Sequence, residues 1–500
     1  MVYYGPSRGC ETCKRRRKKC DETRPSCLRC ITAQRTCGGY EDGTNCMFRQ
    51  YDGQDGDPVP FKSMARKCSL PVRVSGPGID KPQEISDEKV EEFALRAFFY
   101  DYCIISTNHS LSRGYFDGLE LMVQRLGWQS DLAKACKAVG FATHGTKLYR
   151  PGLMRKAEVF YYTLLGSLAK AIADPAFVKT TESLMIAVLL GLYEMIMAGD
   201  SYPGNHNAHA RGVAAILQIE NSPLELFGAI RSSHPIVRKN GIRNPGPFPT
   251  LYSDDASQSL NNLLLIFGSL WRQANALLAD PLTGLDNLHQ LKCEATALDQ
   301  AFVRWEQARA EDFKPWEVGQ VSGGQEAKLG VGYWPGRVDT YFDLYVAGVW
   351  NTYRAARLLL LDLVLKLSTI LNDGHMHGSG YQETLRLVED MVSSIPFHLA
   401  EDIQVFLRGL ENGYGVGKKN VLATIEPGRP VGGLLLMHPL YVVSKLSIVP
   451  QQLREYLRDS LEWIAKHMAI GQASIFAKIP EIHEEYLADG CTLVWAGMLV

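Results

Sequence analysis

Between residues 10 and 37 the chain reads CETCKRRRKKCDETRPSCLRC followed by ITAQRTC. Cys10, Cys13, Cys20, Cys27, Cys30 and Cys37 are spaced C-x2-C-x6-C-x6-C-x2-C-x6-C, and a shift of seventeen residues lays the first three on the last three. One half-motif is therefore used twice. A C-x2-C pair brings two thiolates to one metal ion at the start of a helix, and the third cysteine closes the site after it. Two tetrahedral zinc ions take eight ligand positions, whereas six sulfurs are present. The count closes if two thiolates each bridge both ions. Pseudo-symmetry points to the first cysteine of each half, Cys10 and Cys27. A module this small has no adequate apolar core, so metal binding supplies its folding free energy.

Charge is distributed as unevenly as cysteine. Lys14, Arg15, Arg16, Arg17, Lys18 and Lys19 fill the whole interval between the second and third ligands. Residues 1–37 hold ten Lys or Arg against three Asp or Glu, a formal +7, and the rest of the chain holds 43 against 51, a formal −8. Two zinc ions and six thiolates lower the head only to about +5. A rigid, cationic short helix suits a DNA groove, and a basic head on an acidic body assigns the nucleic-acid partner to the head. The alternatives fit less well. A disulfide framework belongs to an oxidising compartment, and MVYYGPSRG before Cys10 lacks the apolar stretch of a signal peptide. Zinc sites of RING or LIM type take wider spacings, usually with histidine, and residues 1–37 contain none.

This segment resembles the DNA-binding domain of the fungal two-zinc, six-cysteine transcription factors, whose pattern is C-x2-C-(basic)-C-x5–12-C-x2-C-x6–8-C. Every interval here fits, and Pro25 stands where the family has a proline between the halves. The resemblance implies two zinc ions per chain with Cys10 and Cys27 bridging, in agreement with the ligand count. It implies major-groove entry by the first helix, with base-reading cations three and four residues after the second cysteine. Those are Arg16 and Arg17 here, and the family's usual half-site is a CGG triplet. Arginine suits the O6 and N7 of guanine. Lys14, Arg15, Lys18, Lys19, Arg8, Arg24, Arg29 and Arg35 are then expected on phosphates. The run KRRRKK is also dense enough for nuclear import.

Residues 1–40 form the expected cluster module and 41–86 a linker rich in turn formers, with YDGQDGDPVP and LPVRVSGPGIDKPQ as its markers. No heptad run of apolar a and d positions occurs between 38 and 86, so a coiled-coil dimer is not expected there and a homodimer stays open. CGGYEDGTNCMFR resembles a tail that follows the cluster in some filamentous-fungal members.

From Ser86 the periodicity is helical. Val90, Phe93, Ala94, Ala97, Phe98 and Ile104 recur at three–four spacing behind an Asp87–Glu88 start. Similar amphipathic stretches are read at 118–139, 151–173, 179–198, 207–220, 258–279, 285–310, 336–371, 380–396, 432–447, 451–476 and 480–487. Strand-type alternation is nearly absent. Residues 87–500 are therefore expected to be all-α, giving a mainly α chain of 500 residues with 46% apolar content. The longest apolar run, Ser183–Gly199, contains Glu194 and is short for a membrane span; Leu358–Leu365 contains Asp362, so both read as core helices. The cysteines outside the cluster, at 46, 68, 103, 136, 293 and 491, show no paired spacing and read as buried thiols.

LGLYEMIMAGDSYPGNHNAHARGVAAIL, RVDTYFDLYVAGVWNTYRAARLLLLDLV, VGGLLLMHPLYVVSKLSIVP and LREYLRDSLEWIAKHMAIGQAS resemble stretches of the same family's regulatory domain. The resemblance implies a region that restrains or transmits activation and meets co-regulators or the transcription machinery. No catalytic constellation stands out. His206 and His209 form H-x2-H without a third ligand nearby, and His375 and His377 lie in a Gly-rich loop. Gly413–Lys418 lacks the glycine and the Ser or Thr of a phosphate loop. A nuclear, sequence-specific, non-enzymatic DNA-binding regulator of a metabolic or secondary-metabolite gene set is the favoured reading. The alternative is a scaffold that contacts DNA without specificity.

Overall fold

The computed structural model divides into two compact units, residues 1–82 and 83–500. It describes residues 10–16, 18, 20, 21, 23, 26–33 and 35–37 of the first. In the second it describes 86–171, 180–217, 260–280, 282, 284–322, 330–373, 379–411, 425–483 and 491–497.

In the first unit two five-residue helices, α1 (Glu11–Arg15) and α2 (Leu28–Thr32), each follow the first cysteine of a half. Neither is long enough to be stable alone. The buried side chains that hold them are Cys10, Cys13, Cys27 and Cys30, with Cys20 and Cys37 packed on the outside. Sulfur takes the place of an apolar core.

The second unit opens with α3 (Asp87–Tyr102), α4 (Leu119–Leu126), α5 (Asp131–Lys147), α6 (Pro151–Ala171), α7 (Thr181–Met197) and α8 (His206–Leu217). After them come α9 (Leu260–Ala279) and α10 (Leu285–Gln307), then a 3-10 turn at Glu311–Phe313. Strands β1 (Trp316–Val321) and β2 (Gly336–Thr340) form an antiparallel pair with a bulge between Glu317 and Gly319. The chain then runs through α11 (Leu344–Ile370), α12 (Ser379–Leu399), α13 (Ile403–Glu411) and α14 (Pro430–Val443). It closes with α15 (Gln451–Met468), α16 (Gly471–Lys478) and α17 (Cys491–Ala496). The architecture is mainly α, and one apolar cluster runs from Ala94 to Ala496.

Local signals set the helix starts. Ser130, Thr180 and Asp343 are N-caps whose side chains accept the N–H of Ala133, Ser183 and Val346. α7 buries every residue from Ser183 to Ile196, and α14 buries all fourteen of its residues. A helix buried all round needs close neighbours. Gly432 of α14 supplies one, since a Cβ there would lie 1.9 Å from the His398 carbonyl oxygen at the end of α12. Several charges inside the unit are paired. Arg357 of α11 donates to Asp299 of α10 at 2.8 Å and to Glu383 of α12 at 2.7 Å, and Arg386 bridges Glu306, Glu383 and Asp390. Among the described residues no helix is long and apolar enough to cross a membrane.

Several boundaries differ from the periodicity. The stretch 118–139 is two helices, because Gly127 takes φ 97° and Ser130 starts a new one. The stretch 336–371 begins as β2, whose Val338 is fully buried, and turns helical only at Leu344. The stretch 451–476 breaks at Ala469, held at φ 59°, and resumes at Gly471. There a Cβ would lie 1.8 Å from the Ala198 carbonyl oxygen. Residues 479–483 are not helical, while α13 and α17 carry no reading in the sequence. Cys293 is exposed, whereas Cys103 and Cys136 are buried thiols.

Candidate metal centre and nucleic-acid interface

The seventeen-residue repeat is also a repeat of hydrogen bonds. The N–H of Cys10 donates to Cys20 Sγ at 3.4 Å, and that of Cys27 to Cys37 Sγ at 3.5 Å. The N–H of Cys13 donates to Cys10 Sγ at 3.4 Å, and that of Cys30 to Cys27 Sγ at 3.3 Å. Arg16 N–H to Thr12 O matches Ala33 N–H to Arg29 O, and Lys18 N–H to Cys13 O matches Arg35 N–H to Cys30 O. Each half is thus one loop-and-helix unit folded around its own first sulfur.

The sulfurs meet at the centre. Cys10 Sγ lies 3.6 Å from Cys27 Sγ and 3.8 Å from Cys30 Sγ, and Cys13 Sγ lies 3.8 Å from Cys27 Sγ. A zinc–sulfur bond of about 2.3 Å gives a tetrahedral S···S edge of about 3.8 Å, so these are the separations a zinc site requires and far longer than a disulfide. Two tetrads emerge, Cys10–Cys13–Cys20–Cys27 and Cys10–Cys27–Cys30–Cys37, with the four Sγ atoms of each within 4.8 Å of one another. They share Cys10 and Cys27, both fully buried. Burial pushes the Cys10 thiol up to about 12 and raises Cys13 and Cys27 as well. Thiols so placed ionise only beside a compensating cation, and a divalent ion that prefers thiolate is the fitting one. Among the described residues, no other cluster of three or more His, Cys, Asp or Glu has this ligand spacing.

The two halves are alike in backbone and unlike in chemistry. Under the repeat, Lys14, Arg15, Arg16, Arg17, Lys18 and Lys19 correspond to Ile31, Thr32, Ala33, Gln34, Arg35 and Thr36. α1 ends at Arg15, Arg16 occupies the turn after it, and Arg15, Arg16, Lys18, Arg29 and Arg35 are all exposed. Arg8, Arg17, Lys19 and Arg24 lie outside the described residues, as does the side chain of Lys14. In place of cations, α2 exposes Leu28 and Ile31.

Asp21 escapes the sequence reading because it carries no ligand or cation pattern. Its carboxylate accepts the N–H of Leu28 at 2.9 Å and of Arg29 at 3.1 Å, tying the loop after Cys20 to the first turn of α2. The Thr23 hydroxyl, together with those two N–H groups, holds the Asp21 carboxyl well below the usual carboxylate range. Thr12 Oγ1 adds a second cross-link by donating to the Thr36 carbonyl at 3.1 Å.

In the helical unit, His206 is buried and His209 Nε2 lies 3.1 Å from the Tyr161 hydroxyl, so the H-x2-H pair is part of the core. His375, His377 and Gly413–Lys418 lie outside the described residues.

Residues 8–46 match the fungal Zn(2)-Cys(6) binuclear cluster domain. The chain is 49% identical over 423 residues to the transcription factor dbaG of Emericella nidulans, covering 84% of this chain and 99% of that one. The chain belongs to the fungal two-zinc, six-cysteine transcription factors. It is similar over shorter stretches to the transcriptional regulatory protein moc3 of Schizosaccharomyces pombe, at 62% identity over 67 residues, 13% of each chain. It is also similar to the aspercryptin biosynthesis cluster-specific transcription regulator atnN of Emericella nidulans, at 37% over 79 residues, 15% of this chain and 12% of that one. No solved structure matches it. This family member is a DNA-binding transcription regulator with a two-zinc cluster domain, and its two cysteine tetrads provide for both ions.

Proposed function

We propose that this regulator reads CGG-type half-sites in the major groove through α1 and the turn after it, as a nuclear RNA polymerase II regulator. The observation that carries the reading is the asymmetry of a symmetric scaffold: the first half is loaded with cations where the second carries Ile31, Thr32 and Ala33. If the head served only as a metal fold, nothing would favour six consecutive cations on one copy of the repeat. Cys10, Cys13, Cys20 and Cys27 would hold one zinc ion, and Cys10, Cys27, Cys30 and Cys37 would hold the other. When bound, the ions supply the folding free energy of the head. Arg16 and Arg17 meet guanine O6 and N7. Lys14, Arg15, Lys18, Lys19, Arg8, Arg24, Arg29 and Arg35 meet phosphates, fixing register without reading sequence. The likeness to atnN, a biosynthesis cluster-specific regulator by name, supports a secondary-metabolite gene set as the target.

Competition among single-CGG, paired-CGG and scrambled duplexes at near-physiological salt tests the reading on the zinc-loaded full chain. A CGG preference that disappears with a chelator is the expected result, and a better fit to one paired spacing would identify a dimer. Equal binding to all duplexes would leave a non-specific DNA-contacting scaffold.

A further inference from the structure

Asp21 presents a paradox for a head built to meet a polyanion. It is an exposed carboxylate next to the third cysteine, in a module with a formal charge of +7, and by charge alone it opposes DNA association. Its contacts offer a reason for it. The two Asp21 oxygens accept the N–H groups of Leu28 and Arg29 separately, Oδ2 from Leu28 and Oδ1 from Arg29. The next N–H, that of Cys30, goes to Cys27 Sγ. The leading donors of α2 are therefore all directed inward, and the start of the helix is fixed to the loop that leaves the first half. The repeat contains no counterpart to this clamp, because the residue one past the last cysteine is Gly38, which has no side chain. Among the described residues, only the side chain of Asp21 thus joins the end of the first half to the first turn of the second helix through backbone N–H groups, and one of the two residues so held is Arg29.

We infer that Asp21 is a positioning residue for DNA binding, which holds Arg29 in register with the reading segment of the first half so that both engage one stretch of backbone. The inference rests on the phosphate role proposed for Arg29. Two half-units joined mainly through their shared sulfurs can rock about the metal centre. A bidentate contact to successive backbone N–H groups removes that freedom before DNA arrives, and preorganisation of this kind appears as affinity. The carboxylate thereby strengthens binding to an anion despite its sign.

Electrostatics and positioning make opposite forecasts, which gives a clean test. Asp21→Ala removes one negative charge and both acceptors. Asp21→Asn removes the charge but keeps one acceptor oxygen. The full chain is measured for zinc content and for affinity to a CGG duplex across a salt series, alongside Arg29→Ala and the double variant. With two zinc ions retained, Asp21→Ala is expected to weaken binding about three- to tenfold and to lower the salt slope by about one unit, with Asp21→Asn between it and the parent. The double variant should bind no worse than Arg29→Ala alone, because the clamp acts through that residue. Unchanged or tighter binding by Asp21→Ala overturns the inference, as does loss of zinc, which would make Asp21 a fold residue only. If Arg29→Ala itself leaves affinity and slope unchanged, the phosphate role of Arg29 fails and the inference falls with it. If Arg29→Ala weakens binding and Asp21→Ala does not, the inference alone fails.

Discussion

Lys18 and Arg35 occupy matching places in the two halves, each donating its backbone N–H to the carbonyl of the second cysteine and leaving its side chain exposed. We propose both as phosphate contacts. Lys18→Ala and Arg35→Ala should each weaken cognate and scrambled duplexes alike and lower the salt slope by about one unit. Arg16→Ala should instead cost about 1–3 kcal/mol of discrimination at one base pair. Ratios of cognate to scrambled affinity separate the two effects, and a Lys18→Ala variant that alters the ratio would contradict the assignment. At this scale the grouping of the six cysteines was legible, because metal coordination demands fixed spacings that survive in one dimension. Asp21 was not. Its partners lie seven and eight residues away, and a short polar residue in a loop has many uses that leave no pattern.

At the scale of elements, the crossing of α11, α12 and α14 ties folding to pH. His398, buried at the end of α12, faces the Gly432 carbonyl through Nδ1 at 3.1 Å and Asn351 Nδ2 through Nε2 at 3.1 Å. A neutral ring that donates from Nδ1 and accepts at Nε2 satisfies both. Burial, reinforced by the nearby Arg354 cation, lowers His398 from 6.5 to about 4. The unfolded chain then binds a proton that the folded chain refuses between those values. This contribution is complete above about pH 6.5 and is lost as pH falls toward 4, amounting to about 3 kcal/mol in all. Urea midpoints of the parent and His398→Gln, compared across that window, should converge as the pH drops; a constant gap would contradict a neutral buried ring. Periodicity revealed most of the amphipathic helices, though not the short α13, and also the apolar runs of α7 and α14. It missed β2 because GRVDT is too short for two-residue alternation to register, and its role is set by Arg337 and Asp339 meeting Asp390 and Ser393 on α12. It joined α4 to α5 and α15 to α16 because apolar spacing continues through Gly127 and Ala469, where backbone conformation alone makes the break.

For the whole molecule, the two units depend on different forces. The head is organised by six sulfurs, and the helical unit by a continuous apolar cluster with paired buried charges. A chelator should therefore abolish DNA binding while the helical circular dichroism and the main thermal transition of the body persist. Collapse of both together would mean that the body also relies on metal. The charge division of the chain, a formal +7 in residues 1–37 and −8 beyond them, has the same consequence, since only the head gains from proximity to DNA. The most direct measurement is a titration of zinc into the metal-free full chain, with CGG and scrambled duplexes present and binding followed at each equivalent. If Cys10 and Cys27 are shared between the ions, neither half-site is complete alone. Preference for CGG should then emerge only as the second equivalent binds and saturate at two. Full preference without zinc or with one ion, or equal gains on both duplexes, would contradict a two-zinc fold as the maker of a sequence-specific reader.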